Sequence, residues 1–404
     1  MTNNISLSQA RDEIDVLRRN ESETKNAIEN AASVDVIRYL IEEEELDKTH
    51  DGQRGLGKIR KAVLNSNIAP RDVKRLVSYR GDDTPEEILV PEEAVRNATV
   101  ALETGKPVVL YGPTGTGKTT FAKQLAQRTC IGYTLNTATP SWTPSDIIGG
   151  ISPDTSGRGI QYHRELGCVS KAVQRARKFN VDYGVILDEI TRADISKIFG
   201  PLYTAIENPH QTIFETDDGE TIELDERVNI ICTMNMSDRT VNELDDAITR
   251  RFAMVELDEY PKENRRQLLE GWLDDLVENA IDIDTTRLYE LFEADYRGIN
   301  RGREDTSQGS IMRFGPMHYR DVAAFIGAAC AEDGQYEDDL ERAVGQAYKT
   351  FLVPRLLNTA AFPQIERIAE HYRLLDDEFT AFDLEPAVEV AERRLAEERR
   401  QLGT

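Results

Sequence analysis

Gly112, Pro113, Thr114, Gly115, Thr116, Gly117, Lys118 and Thr119 fit the pattern GxxxxGK[ST]. In that spacing the glycines let successive backbone N–H groups turn inward around phosphate oxygens, the lysine adds a point charge for the β/γ oxygens, and the hydroxyl after it can ligate Mg²⁺. Thr120 follows directly and belongs to the same phosphate-binding set. Farther along, the apolar run Val185, Ile186, Leu187 ends in Asp188 and Glu189. A carboxylate at the carboxyl end of a buried strand is placed to hold the Mg²⁺ shell together with Thr119, and the second carboxylate is placed to polarise an attacking water. The flanks agree: Pro107 to Tyr111 reads as a buried strand before the loop and Lys118 to Thr129 as a helix after it. These residues predict a nucleoside triphosphate hydrolase.

Such a site needs a sheet to aim it. From Pro91 to Leu257 the pattern alternates strands and helices, which predicts a parallel sheet covered on both faces. The strands are Pro107 to Tyr111, Tyr133 to Asn136, Val185 to Asp188, Val228 to Asn235 and Phe252 to Leu257. Two insertions interrupt it: Ile147 to Tyr162, a glycine-containing hairpin, and Thr212 to Leu224, two short strands around the Asp218–Gly219 turn. Three regions follow: 1–85, helical; 86–258, the α/β core; and 259–404, a helical lid with a charged helix over Asp383 to Arg400. In the lid, Trp272, Leu273, Leu276, Val277, Leu291, Phe292, Tyr296, Val344, Tyr348, Phe351 and Leu352 recur at helical spacing and predict its core. Arg297 to Gly309, polar and glycine-containing, predicts a mobile loop.

The formal net charge of -24 disfavours nonspecific affinity for nucleic acid over most of the surface. Lysine is scarce, 13 against 36 arginines, a balance that suits a high-salt cytoplasm and equally an acidic protein of ordinary cells. Arg54 to Arg80 is a local basic exception, with Arg54, Lys58, Arg60, Lys61, Arg71, Lys74, Arg75 and Arg80 against Asp72. It reads either as a contact for nucleic acid or an acidic partner, or as a face packed on the acidic body; the lack of interleaved aromatic residues favours the second. Cys130, Cys168, Cys232 and Cys330 have no CxxC spacing, so neither a zinc site nor a disulfide framework is predicted. The five histidines form no metal-ligand spacing and are assigned no catalysis. Trp142, between Pro140 and Pro144, is either a substrate-facing tip or a packing residue. Met1 to Ser6 lacks a leader pattern and the longest apolar run, Val322 to Ala331, is too short to span a bilayer, so a cytoplasmic protein without a membrane partner is expected.

Two segments carry a family resemblance. Asp188 to Ala193, then Ser196 to Gly200 and Leu202, resemble the Walker B region of McrB-type restriction motors. Thr233 to Arg239 and Asp245 to Phe252 resemble that family's sensor 1 and arginine-finger segments. The two insertions resemble those of the broader MoxR and dynein-related AAA+ ATPases. The resemblance implies a P-loop AAA+ core with a five-stranded parallel sheet, an oligomeric ring of six copies, ATP or GTP with Mg²⁺, and a macromolecular substrate, protein or DNA. It implies Asn235 as the residue orienting water or the γ-phosphate, and Arg250 and Arg251 as arginine fingers acting on a neighbouring subunit, one of them pairing locally with a carboxylate such as Asp245 or Asp246. Arg313 or Arg320 would be the lid's sensor 2. Asp238 and Arg239 would link sensor 1 to a subunit interface or form a local ion pair. Thr191 departs from the Asn usual in the motor family, which removes an amide from that position. The functions so implied are an ATP-driven remodelling or translocating motor, a GTP-hydrolysing restriction motor working with a separate nuclease or adaptor subunit, or a non-cycling nucleotide switch or scaffold.

Overall fold

The protein is described from a computed structural model, over residues 90–130, 132–154, 161–179, 182–235, 246–277, 285–303 and 309–403. Region 1–85, expected to be helical, with its basic stretch, and Met236 to Asp245 with Asp238 and Arg239, lie outside the described residues.

Five parallel strands form the central sheet: β1 (Val108–Gly112), β2 (Gly132–Thr137), β5 (Tyr183–Asp188), β8 (Val228–Asn235) and β9 (Ala253–Glu256), in the order β2-β5-β8-β1-β9. The strands are near-continuous apolar runs because both faces are covered. Val108, Leu110, Ile186 and Ile231 point to one face, where they pack with Ala94, Leu102, Phe121 and Leu125 from helices α1 (Glu92–Glu103) and α2 (Lys118–Thr129). Val109, Val185, Leu187, Ile230 and Cys232 point to the other. There they meet Ile147 of the short helix α3 (Pro144–Ile147), Val169 and Val173 of α4 (Cys168–Phe179) and Ile198, Phe199 and Leu202 of α5 (Ile195–Glu207). Trp142 packs against this second cluster. Register brings the strand tips together: Gly112 lies beside Asn235, and Leu187 beside Cys232, so Asp188 ends next to Thr233.

The insertions are two antiparallel hairpins, β3 (Gly149–Asp154) with β4 (Gln161–Leu166), and β6 (Thr212–Glu215) with β7 (Thr221–Glu223). The first runs past the expected limit at Tyr162, because the ladder closes only where Leu166 meets Gly149. Arg164 ties the hairpins together: its backbone N–H donates to Asp217 Oδ2 (3.0 Å) and its Nη1 to the Glu215 carbonyl (2.9 Å). Phe214 packs on Gly149, where an added Cβ would come within 2.8 Å of its ring.

After α6 (Asp246–Arg251) and β9 the chain is helical: α7 (Lys262–Val277), α8 (Thr285–Arg301), α9 (His318–Cys330), α10 (Leu340–Ala347), a π turn (Tyr348–Leu352), α11 (Val353–Thr359), α12 (Phe362–Glu378) and α13 (Glu385–Leu402). Trp272, Leu273, Leu291, Phe292, Tyr296, Val344, Tyr348 and Leu352 are buried in its core and Phe351 packs against it. The side chains of Leu276 and Val277 lie outside those described. The expected loop over Arg297 to Gly309 is corrected at its start, where α8 continues to Arg301. Gly298 permits it: a Cβ there would lie 2.2 Å from Cε1 of His371, whose Nε2 meets the buried Asp295 at 2.7 Å. Tyr319 donates to the other oxygen of Asp295 (2.9 Å).

All four cysteines are free. Burial pushes the Cys168 thiol up to about 12. No described helix is long and apolar enough to cross a membrane.

Candidate functional site

Where β1 ends, Gly112 takes φ 149° and its α-carbon faces the backbone of Leu257, so close that a Cβ would lie 2.1 Å from the carbonyl oxygen. Only glycine permits this approach, and it starts the turn that lays residues 113–117 across the strand tips. Gly117, at φ 73°, hands the loop to α2. The first N–H groups of α2, at Lys118, Thr119 and Thr120, have no partner within the helix and make an anion-binding end. Lys118 is 6% exposed, and its ammonium donates to the carbonyls of Gly112 (3.0 Å) and Pro113 (2.5 Å) and to Thr116 Oγ1 (3.3 Å). Burial lowers its pKa to about 8 against the opposing pull of Asp188 and Glu189.

The acidic strand tip closes on this loop. Thr119 Oγ1 donates to Asp188 Oδ1 at 2.7 Å, and Thr233 Oγ1 donates to the same oxygen at 2.6 Å. Thr233 also accepts the Glu189 N–H at 2.9 Å, so one buried hydroxyl on β8 fixes both Asp188 at the end of β5 and Glu189 just after it. Glu189 adopts φ 52°, a left-handed backbone that a non-glycine residue holds only when its surroundings impose it. Its carboxylate accepts from Asn235 Nδ2 (3.3 Å) and pairs with Arg192 Nη2 (2.5 Å), which sits one 3₁₀ turn later. The structure therefore brings together Lys118, Thr119, Asp188, Glu189 and Asn235. The paired hydroxyl and carboxylate of Thr119 and Asp188 are hard oxygen donors that fit Mg²⁺ completed by phosphate oxygens and water. Among the described residues no cluster of His, Cys, Asp and Glu offers another metal site.

The two fingers separate. Arg251 is spent on its own chain: Nε donates to the Tyr203 carbonyl (3.1 Å), Nη1 to the Ala247 carbonyl (3.1 Å), Nη2 pairs with Glu207 (3.0 Å), and the guanidinium lies 5.0 Å over the Tyr203 ring. A catalytic reach for Arg251 is thereby corrected to a packing role on α5. Arg250 beside it is 79% exposed at the side chain, at 4.0 Å from Glu207.

The lid sits directly on the loop. Tyr260 Oη donates to the Thr116 carbonyl (2.8 Å), the Gly315 N–H to Thr114 O (2.9 Å) and the Met317 N–H to Gly115 O (2.9 Å). Arg313, one of the two arginines expected as the lid's sensor, points instead to Asp258 (3.0 Å) and Glu256 (3.4 Å) at the end of β9. Arg320 is exposed on α9. The lid side chain that reaches the loop is His318, 3.4 Å from Thr114 Oγ1 through Nε2, with Arg355 behind it at Nδ1 (3.3 Å). Arg192 and Thr233 lay inside the segments that carried the resemblance without being given a role, His318 was assigned none, and Tyr260 and Arg355 were not singled out; the one local signal was the Gly315–Pro316 turn that aims α9 at the loop.

Residues 107–252 match the family model described as AAA domain (dynein-related subfamily). The Type IV methyl-directed restriction enzyme EcoKMcrB subunit of Escherichia coli K12 is 27% identical over 213 residues, 49% of this chain and 45% of that protein. Midasin of Dictyostelium discoideum is 26% identical over 144 residues, 35% of this chain and 2% of that protein. The chain thus spans less than half the length of either relative. A RuvB mutant of Thermotoga maritima superposes loosely, with a TM-score of 0.39 at 16% identity, over 76% of this chain and 89% of that one. Residues 107–252, with their loop, acidic strand tip and sheet order, are thus similar to the AAA domain of the dynein-related subfamily and to the matching part of the restriction-enzyme subunit.

Proposed function

We propose that the protein is a Mg²⁺-dependent, ring-forming ATPase that converts hydrolysis into remodelling or translocation of a macromolecule. The observation that carries this reading is the hydrogen bonding of Thr119 to Asp188 and of Asn235 to Glu189 at the adjacent carboxyl ends of β5 and β8. When bound, Mg²⁺ would offset charge on the phosphate oxygens. The chain's own residues do the remainder. The loop amides and Lys118 hold phosphate, Thr119 and Asp188 present oxygen donors to the cation, and Glu189 accepts a proton from water that Asn235 orients. A carboxylate poised for this work favours a cycling enzyme over a passive switch or scaffold.

Glu189 is paired with Arg192, so water activation requires that pair to loosen. Glu189→Gln should abolish phosphate release, by about 10²-fold or more, while Mg²⁺-ATP binding survives. Phosphate release and nucleotide titration on the same preparations test it; turnover by Glu189→Gln at the wild-type rate would remove Glu189 from the reaction.

A second reading, a GTP-driven restriction motor with a separate nuclease subunit, is favoured by the match to the restriction-enzyme subunit. ATP and GTP turnover measured side by side separate the two, and strict ATP use would remove the second.

A further inference from the structure

Thr134 Oγ1 and Asn136 Nδ2 are buried atoms, and among the described residues neither has a hydrogen-bond partner. A buried polar atom left in that state is rare in a folded protein and calls for a bound water or a ligand group. Both residues stand on the same face of β2, two apart, and both line a cavity of about 280 Å³ at the root of the first hairpin. Ser152 and Glu165 of the hairpin, Asp146 of α3 and Lys171 of α4 complete its polar wall. Glu165 is held by Ser152 Oγ (3.0 Å) and Lys171 Nζ (3.7 Å), and Asp146 accepts the Thr143 N–H (2.8 Å). The carboxylates are therefore engaged, and the two β2 groups are not.

The main chain beside the cavity is available as well. β2 is the outermost strand of the sheet, with β5 as its ladder partner among the described residues. The Ala138 N–H donates to the Asp188 carbonyl, and along a parallel strand the residues bonded to one neighbour alternate with those facing away from it. Thr134 and Asn136 thus turn their backbone groups to β5, while Leu135 and Thr137 turn theirs outward. Both of these are exposed, Leu135 by 40%, and the strand carries neither proline nor a charged side chain, two of the devices that close an edge to pairing.

We propose that this edge takes up an extended polypeptide as an added strand, one of whose side chains enters the cavity and meets Thr134 and Asn136. The inference rests on the remodelling or translocating activity proposed above and narrows its substrate from protein or DNA to protein. Strand addition supplies main-chain hydrogen bonds whatever the sequence, and a pocket for an alternate side chain adds preference. The side chain that fits accepts from Asn136 Nδ2 and shares a proton with Thr134 Oγ1, so it is polar. Nucleic acid cannot join such a ladder, and its phosphates would face Asp146 and Glu165 on a chain of formal net charge -24. The place also suits the activity. Thr137 of β2 lies in register with Asp188, so only β2 separates the added strand from the carboxylate assigned to the cation.

The test is fluorescence anisotropy on the full chain, without nucleotide and with Mg²⁺-ATP. The probe is labelled α-lactalbumin, reduced and carboxamidomethylated so that it stays unfolded; it is acidic, so attraction between opposite charges cannot supply its binding. Single- and double-stranded DNA with the same label should bind at least about tenfold more weakly. Leu135→Pro removes an outward N–H and keeps the bonds to β5; it should weaken polypeptide binding by about tenfold. Thr134→Val and Asn136→Leu, similar in shape without the polar groups, should each weaken it by about threefold or more. Ser152→Trp, which fills the cavity from the hairpin side, should act in the same direction. If Leu135→Pro fails to fold by its melting curve, Ser152→Trp and Thr134→Val carry the test. Absence of polypeptide binding in the wild type, or binding unchanged in both Leu135→Pro and Ser152→Trp, would overturn the proposal and leave a water-filled cleft. DNA binding as tight as that of the polypeptide would overturn it too, as would self-association lost in Leu135→Pro, which would assign the edge to a second copy. Phosphate release on the same preparations keeps the two claims apart: polypeptide binding without hydrolysis defeats the ATPase reading, and hydrolysis without polypeptide binding defeats only this inference.

Discussion

Lys118 is a buried ammonium bonded mainly to carbonyl oxygens, and its pKa of about 8 reflects the solvent it has lost. Bound phosphates raise that value, so above pH 8 the free protein loses the charge while the complex keeps it. Binding then takes up a proton, and the affinity for Mg²⁺-ATP should fall as pH rises through 8 to 9.5, by at most about tenfold per pH unit. Nucleotide titrations across that range check it; a flat profile would mean that the ammonium stays charged without ligand. Glu189 shows the opposite economy at the same scale. Its carboxylate is already held by Arg192 and Asn235, and its left-handed backbone by Thr233, so its position is imposed by neighbours from two strand tips.

At the scale of elements, the first lid helix α7 is joined to the phosphate loop through one buried arginine. Arg265 makes a bidentate pair with Glu293 of α8 (2.7 and 2.6 Å), donates to the Tyr260 carbonyl (2.8 Å) and lies 4.5 Å over the Tyr296 ring. Tyr260 in turn donates to Thr116. Arg265→Ala leaves Glu293 buried without its partner and should cost about 3–5 kcal/mol of stability, whereas replacing both residues by apolar ones of similar volume should cost less. Denaturant unfolding of the single and double variants checks it, and equal losses would show that packing rather than charge sets the cost. Much at this scale was legible beforehand. The strand before the loop, the helix over Lys118 to Thr129 and the strand ending in Asp188 follow from apolar runs cut by glycine or carboxylates, signals that lie within a few residues. The limits of the first hairpin and the extension of α8 to Arg301 were not legible, since they depend on Leu166 meeting Gly149 and on Gly298 fitting under His371.

The whole molecule divides its arginines by what they touch. Loop and acidic tip could be read as motifs, because phosphate chemistry demands those residue types in order, and Asn235 came with the family resemblance. His318 and Arg355 could not, for they reach the site from distant helices and belong to no local spacing. The same distinction separates the two neighbouring arginines on α6: Arg251 is locked onto Glu207 and Tyr203, and Arg250 stands 79% exposed. If the nucleotide of one copy is completed by the next, Arg250→Ala should lower turnover by about 10³-fold or more. Mixing it with Glu189→Gln copies should then recover activity at sites that pair an intact Glu189 with an intact Arg250. Arg251→Ala should act chiefly by lowering the melting temperature. No recovery in the mixture, with both variants folded, would place Arg250 outside the neighbour's site.

The clasp of Arg164 on Glu215 and Asp217 has a mechanical consequence. One hairpin leads through α4 into the strand that ends in Asp188, and the other leads straight into the strand that ends in Asn235. A tug on either tip is therefore shared by both, and the load arrives from two directions at Asp188 and Asn235, on which the proposed hydrolysis would depend.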